Sequence, residues 1–232
     1  MTKNLRFALA FRLCALFFAA AGIMAQSGMF SGKLNLGTFM FYTLQSNLLA
    51  VILFALLAIR TAKSLREGPQ GNAGWYPRFE MVCVVNLLVT LIVFWSLLAG
   101  FLSASYLWSF ENIAVHTVTP LLCLVDYLLF TKARHLKYRD VYYTCIFPLF
   151  YVAFTSIAGL AGYTYHYTAT FDSIFDAAPL YIEPVRFPYF FLDFDRIGLM
   201  ALVYIAGISV FIILLGHGMY LVDRKVRKDA LL

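Results

Sequence analysis

Six long apolar stretches dominate this chain and fix what it can fold into. They run at about Leu5–Gln26, Leu36–Ile59, Met81–Ser103, Ile113–Thr131, Val141–Ala161 and Ile197–Leu221. A helix rises ~1.5 Å per residue, so ~20 apolar residues cross the ~30 Å hydrocarbon core of a bilayer. The runs are continuous and do not alternate apolar with polar, which predicts helices and not barrel strands. The composition agrees: 62% of the 232 residues are hydrophobic and 13% are charged. Soluble domains carry about 25% charged residues, so a soluble globular fold is excluded, and so is a disordered chain. The expected architecture is an all-α membrane protein, a bundle of six transmembrane helices forming a single domain over residues 1–232.

Charge placement predicts the orientation. Fifteen of the 18 lysines and arginines fall on one side: Lys3, Arg6 and Arg12; Arg60, Lys63, Arg66 and Arg78; Lys132, Arg134, Lys137 and Arg139; Arg224, Lys225, Arg227 and Lys228. The other side receives Lys33, Arg186 and Arg196. Basic residues mark cytoplasmic loops, so both termini are expected in the cytoplasm. The net charge of +6 is thus a topology signal; no aromatic–basic pattern indicates nucleic acid. The first stretch also has features of a secretory signal, with Lys3 and Arg6 in front and small residues near Ala25. Arg12 interrupts it and the run is long, so a retained first span is expected; cleavage would leave five.

The four cysteines, Cys14, Cys83, Cys123 and Cys145, all fall in apolar stretches without metal-ligand spacing, and read as small core residues. No P-loop, HExxH, GxSxG or dinucleotide fingerprint occurs, and neither a metal nor an organic cofactor is expected. Residues 61–80 form a Gly/Pro-rich connection. The long external stretch 162–196 carries eleven aromatic residues, ten of them from Tyr163 to Phe191. It reads either as an interfacial belt or as a lid over a site.

Polar residues inside spans are costly and so are informative. Thr43, Ser46 and Asn47 share one helical face near the outer end of the second span. His116 sits near the outer end of the fourth span, ~6 Å along the axis from Asn112, while Thr43 lies ~10 Å beyond Leu36. Both occupy the outer part of the membrane. Pro120 denies the 116 carbonyl its helical donor, so a bend is expected beside the histidine. Nearer the cytoplasm, Asn86 and Asp126 match in depth, and a hydrogen bond between them is expected, as a clamp or as part of a relay. Asp193, Asp195 and Arg196 form a charge cluster at the outer mouth of the sixth span; Arg196 could pair with either acid or with a lipid phosphate.

The motifs Phe41-Tyr-Thr43-Leu-Gln-Ser-Asn47, His116-Thr-Val-Thr-Pro120-Leu-Leu, Asp126-Tyr-Leu-Leu-Phe and Tyr189-Phe-Phe-Leu-Asp193 occur in order. In this the chain resembles a bacterial six-span integral-membrane family that is distantly similar to the androgen-induced, FAR-17a-like membrane proteins of animals. The resemblance implies an intramembrane threonine hydrolase acting on fatty acid esters of hydroxy fatty acids or similar lipid esters. It carries a nucleophilic threonine over to Thr43 and a histidine base over to His116. In that chemistry Asn47 could donate to the oxyanion, with Ser46 as a second candidate, and Asn112 could orient the histidine. The implied partners are the bilayer and a fatty-acyl ester; the oligomeric state is left open. Two other readings stand beside it: a non-catalytic lipid-binding or scaffold protein, and a small transporter with a polar path joining the two polar layers.

Overall fold

A computed structural model of the chain describes residues 2–67, 77–131, 134–165 and 185–226. Six helices in it are long and apolar enough to cross a membrane: Leu5–Gln26, Tyr42–Glu67, Pro77–Leu98, Phe110–Phe130, Tyr138–Leu160 and Met200–Arg224. They are called spans one to six below. The described residues carry no β-strand beyond an isolated antiparallel bridge between Tyr165 and Val185. The fold defines an all-α integral membrane protein.

The surface explains itself only in lipid. Phe17, Leu160, Val203 and Leu214 each expose more than 60% of their area, whereas Arg12, Asn47, Asn86, His116 and Asp126 are buried. Apolar groups face outward and polar groups face one another, the reverse of a water-soluble bundle. Spans one to four form the packed centre, around Ala50, Leu53, Phe54, Val84, Leu87, Cys123 and Tyr127. Span one approaches span two through the fully buried Ala8, Ala15 and Ala19, small residues that let backbones come close. Its Gly22 has the same use against span four: a Cβ there would stand 2.9 Å from the Ala114 Cβ. Spans five and six are the most peripheral, with 22% and 17% of their apolar windows buried.

Several boundaries differ from the sequence-based expectation, for local reasons. Span two begins at Tyr42 and not at Leu36. Asn35 caps a separate 3₁₀ turn, Leu36–Met40, by accepting from the Gly37 N–H at 2.9 Å. Phe41 is then extended before the helix starts anew. Thr43 is therefore in the first helical turn. Span two continues to Glu67 and span three begins at Pro77, so much of the 61–80 connection is helical. Span five opens with a 3₁₀ stretch, Tyr138–Cys145. Ahead of span six, the short helix Phe194–Ile197 is capped by Asp193 and ended by Gly198 at φ +55°, a left-handed conformation that suits glycine. Span six accordingly starts at Met200.

Candidate functional site

Thr43 and His116 meet. The Thr43 Oγ1 lies 3.2 Å from His116 Nε2. The other ring nitrogen, Nδ1, is 3.2 Å from the backbone carbonyl of Asn112. A carbonyl can only accept, so Nδ1 carries the proton and the Nε2 lone pair faces the threonine hydroxyl. The chain thus holds a hydroxyl, an imidazole in the base-competent tautomer and an acceptor that orients it. Asn112 does orient His116, but through its main chain; its side-chain amide donates to Leu107 O at 2.9 Å.

The helix around His116 is widened. Ala114–Val118 is a π turn in which the Thr119 N–H bonds back to Ala114 O. That leaves the Val115 carbonyl without a donor from its own helix, because in the π pattern its partner is residue 120, a proline. Asn47 supplies the missing bond, donating from Nδ2 at 2.9 Å, and donates from the same nitrogen to Thr43 O at 2.8 Å. The expected bend at Pro120 thus takes the form of a π turn, stitched to span two by Asn47. Both Asn47 donors are committed to backbone carbonyls, so it holds the site together and has no hydrogen left for an oxyanion. Ser46 bonds to Thr43 O at 3.0 Å and to the Thr90 hydroxyl at 2.9 Å; it fixes span two to span three.

Span three contributes a second π turn, Phe94–Leu98, whose Phe94 ring stacks on His116 with centroids 3.7 Å apart. Beside the pair opens a cavity with about 690 Å³ of free space, counted to its open mouth. Thr43 lies in its wall, with Tyr42, Val93, Phe94, Tyr151 and Tyr189 near the reactive end and Pro148, Leu149, Val152, Ile205, Ile208 and Ile212 along spans five and six. Leu149 of span five lines the cavity and keeps about half of its area exposed. Sequence reasoning missed Phe94 and Tyr189 as site residues. Each stands among many aromatic neighbours, and no spacing rule singles it out.

The deeper polar layer corrects an expectation: Asn86 does not pair with Asp126. Asn86 accepts from the Tyr42 hydroxyl at 2.5 Å and donates to Val82 O at 2.6 Å. Asp126 pairs with Arg12, from Nε at 2.9 Å and from Nη2 at 3.2 Å. The third Arg12 nitrogen, Nη1, donates to Thr61 Oγ1 at 2.6 Å, and the guanidinium lies over the Phe130 ring. A carboxylate buried in a span needs a full counter-charge, and an asparagine has none. Arg12, counted among cytoplasmic charges, was the signal.

Ahead of span six the acids divide. Asp193 caps the helix Phe194–Ile197 and pairs with Arg196 at 3.3 Å. Asp195 forms a two-pronged pair with Arg186, and that guanidinium lowers the Asp195 pKa below its ordinary value. Arg196 thus pairs with an acid. In the aromatic stretch, Tyr165 is buried with its ring 5.5 Å from Phe41, and Gly159 admits the Arg186 backbone so closely that a Cβ would stand 2.5 Å from its carbonyl oxygen. Residues 166–184, with His166, Tyr167, Phe171, Phe175 and Tyr181, lie outside the described residues. His217 bonds to Tyr138, far from Thr43 in the chain, and His135 is exposed. All four cysteines are free. Among the described residues no three His, Cys, Asp or Glu side chains converge as metal ligands do.

No protein-family model, curated protein or solved structure matches this chain.

Proposed function

We propose that the protein hydrolyses lipid esters within the membrane, with Thr43 as nucleophile and His116 as general base. The observation that carries the reading is the 3.2 Å contact between Thr43 Oγ1 and His116 Nε2 at the wall of an apolar cavity. The resemblance of the motifs to a bacterial six-span family, itself distantly similar to the FAR-17a-like threonine hydrolases, points to the same chemistry. A threonine hydroxyl is inert without a base. His116 takes its proton as Oγ1 bonds to the ester carbonyl carbon and the C=O π electrons move onto oxygen. Collapse breaks the ester C–O bond, and His116 returns the proton to the departing alcohol. Water then attacks the acyl-threonine, gives its proton to His116, and releases the acid as Thr43 regains its hydrogen.

The cavity sets the substrate class. Its lining is overwhelmingly apolar, it is partly open beside the half-exposed Leu149, and among the described residues it offers no charged side chain to a polar substrate. An acyl chain entering sideways between spans five and six brings its ester carbonyl to Thr43. Fatty acid esters of hydroxy fatty acids are the first class to try. The basic-residue distribution supports an orientation with both termini cytoplasmic, which puts Thr43 in the outer half, and the resemblance implies a bacterial inner membrane.

The same cavity also favours a second reading, lipid binding without chemistry. One experiment separates them: turnover of branched hydroxy-fatty-acid esters and aryl esters by purified protein, beside Thr43→Ala and His116→Ala. Hydrolysis lost in both folded variants supports catalysis. Ester binding without turnover in all three proteins leaves the lipid-binding reading.

A further inference from the structure

We propose that Tyr189 is a catalytic residue of this site, whose phenol receives the oxyanion formed when Thr43 attacks an ester. The inference rests on the hydrolase reading above.

Among the described residues, the other candidate donors beside Thr43 are already committed. Asn47 has spent both amide hydrogens on backbone carbonyls, Ser46 is bonded to Thr43 O and Thr90, and His116 Nδ1–H is held by Asn112 O. Tyr189 is placed differently. It lines the cavity with Thr43. Its Oη accepts the Tyr42 N–H at 3.2 Å and interacts with both the side chain and the backbone of Thr43.

The restart of the helix at Tyr42 is what makes this possible. The first N–H groups of a helix have no intrahelical acceptor, and the positive end of the helix dipole lies with them. That of Tyr42 donates to Tyr189 Oη at 3.2 Å, which polarises the phenol O–H next to the nucleophile. Burial raises the Tyr189 pKa to about 12, which keeps the phenol a proton donor at every working pH. The ring is fixed by stacking on Phe191, 3° from parallel at 5.1 Å, and by edge contact with Phe41 at 6.1 Å. The hydroxyl is therefore preorganised, which is the condition for an oxyanion donor to be effective. No proton leaves Tyr189 in the step: the phenol hydrogen bonds to the carbonyl oxygen as its charge grows and is released on collapse.

Tyr189→Phe keeps the ring and removes only the hydroxyl. The test compares oxygen esters with the matching thionoesters, whose sulfur is a poor hydrogen-bond acceptor, and measures fluorophosphonate labelling of Thr43 and thermal stability alongside. The expected result is a fall of about 100-fold in kcat on the oxygen ester with KM within about twofold. Fluorophosphonate labelling is slowed, the melting temperature falls only as far as the loss of the Tyr42 N–H bond accounts for, and the preference of the wild type for oxygen over sulfur shrinks. Wild-type kcat in Tyr189→Phe overturns the proposal, as does an equal loss on both esters; in either case Thr43 still labels and the hydrolase reading survives. If the wild type neither turns over nor labels, both fall together.

Discussion

The Val115 carbonyl takes its hydrogen bond from Asn47 of another span, at 2.9 Å, and not from its own helix. Pro120 creates the need and Asn47 meets it, so the widened turn that presents His116 depends on a side chain one helical turn from Thr43. Asn47→Ala leaves a buried carbonyl unpaired, a cost of about 1–3 kcal/mol. We expect a lower melting temperature in detergent and partial loss of activity that follows the folded fraction. Asn47→Asp, which cannot donate, should be at least as damaging. An Asn47→Ala protein as stable as wild type would show that the carbonyl finds another partner.

The Arg12–Asp126 pair makes a prediction about stability alone. Removing one charge strands the other in a low-dielectric interior, at about 3–5 kcal/mol, whereas replacing both with apolar residues of similar volume is often neutral. Arg12→Met and Asp126→Leu should each destabilise strongly, and the double variant should recover most of the loss. Thr61 keeps a partner in either case, because its hydroxyl also donates to Leu57 O at 2.6 Å. Additive losses in the double variant, read from unfolding curves, would argue against a coupled pair.

The cavity predicts selectivity by chain length. Ile208 lines it on span six, and Ile208→Trp fills the space an acyl chain needs while leaving Thr43 and His116 in place. Hydrolysis of long-chain esters should fall at least tenfold, mainly through KM, and an acetyl ester should be little affected. Equal loss on short and long substrates would mean that the cavity does not hold the chain.

The nucleophile can be tested by shape-conserving changes. Thr43→Val removes the hydroxyl with nearly constant volume and should abolish turnover, a loss on the order of 10⁴-fold or more by analogy with other nucleophile deletions. Thr43→Ser should retain measurable activity. Wild-type turnover by Thr43→Val would transfer the chemistry to another residue.

The six spans were legible in the sequence because apolar length is a strong, local signal, and their ends were not, because caps decide them. Asn35 and Phe41 moved the start of span two by six residues; Asp193 and Gly198 moved that of span six by three. Thr43 and His116 were singled out from depth, polarity and resemblance, and they are in contact. What failed was partner choice. Matching depths suggested Asn86 with Asp126, yet a buried carboxylate is satisfied by charge, and Arg12 stood seven residues into the first apolar run. Tyr189 was invisible for a different reason: its importance comes from a restarted helix whose free amide it meets, a relationship between residues 147 apart.

The central claim is that Thr43 is a nucleophile activated by His116, and covalent capture tests it most directly. Purified protein in detergent is treated with a fluorophosphonate and the labelled peptide is located by mass spectrometry, beside Thr43→Ala and His116→Ala variants shown to be folded. The account predicts a single adduct on Thr43 in the wild type and none on that peptide in either variant. A folded wild type that carries no adduct on Thr43 and turns over no ester would contradict it.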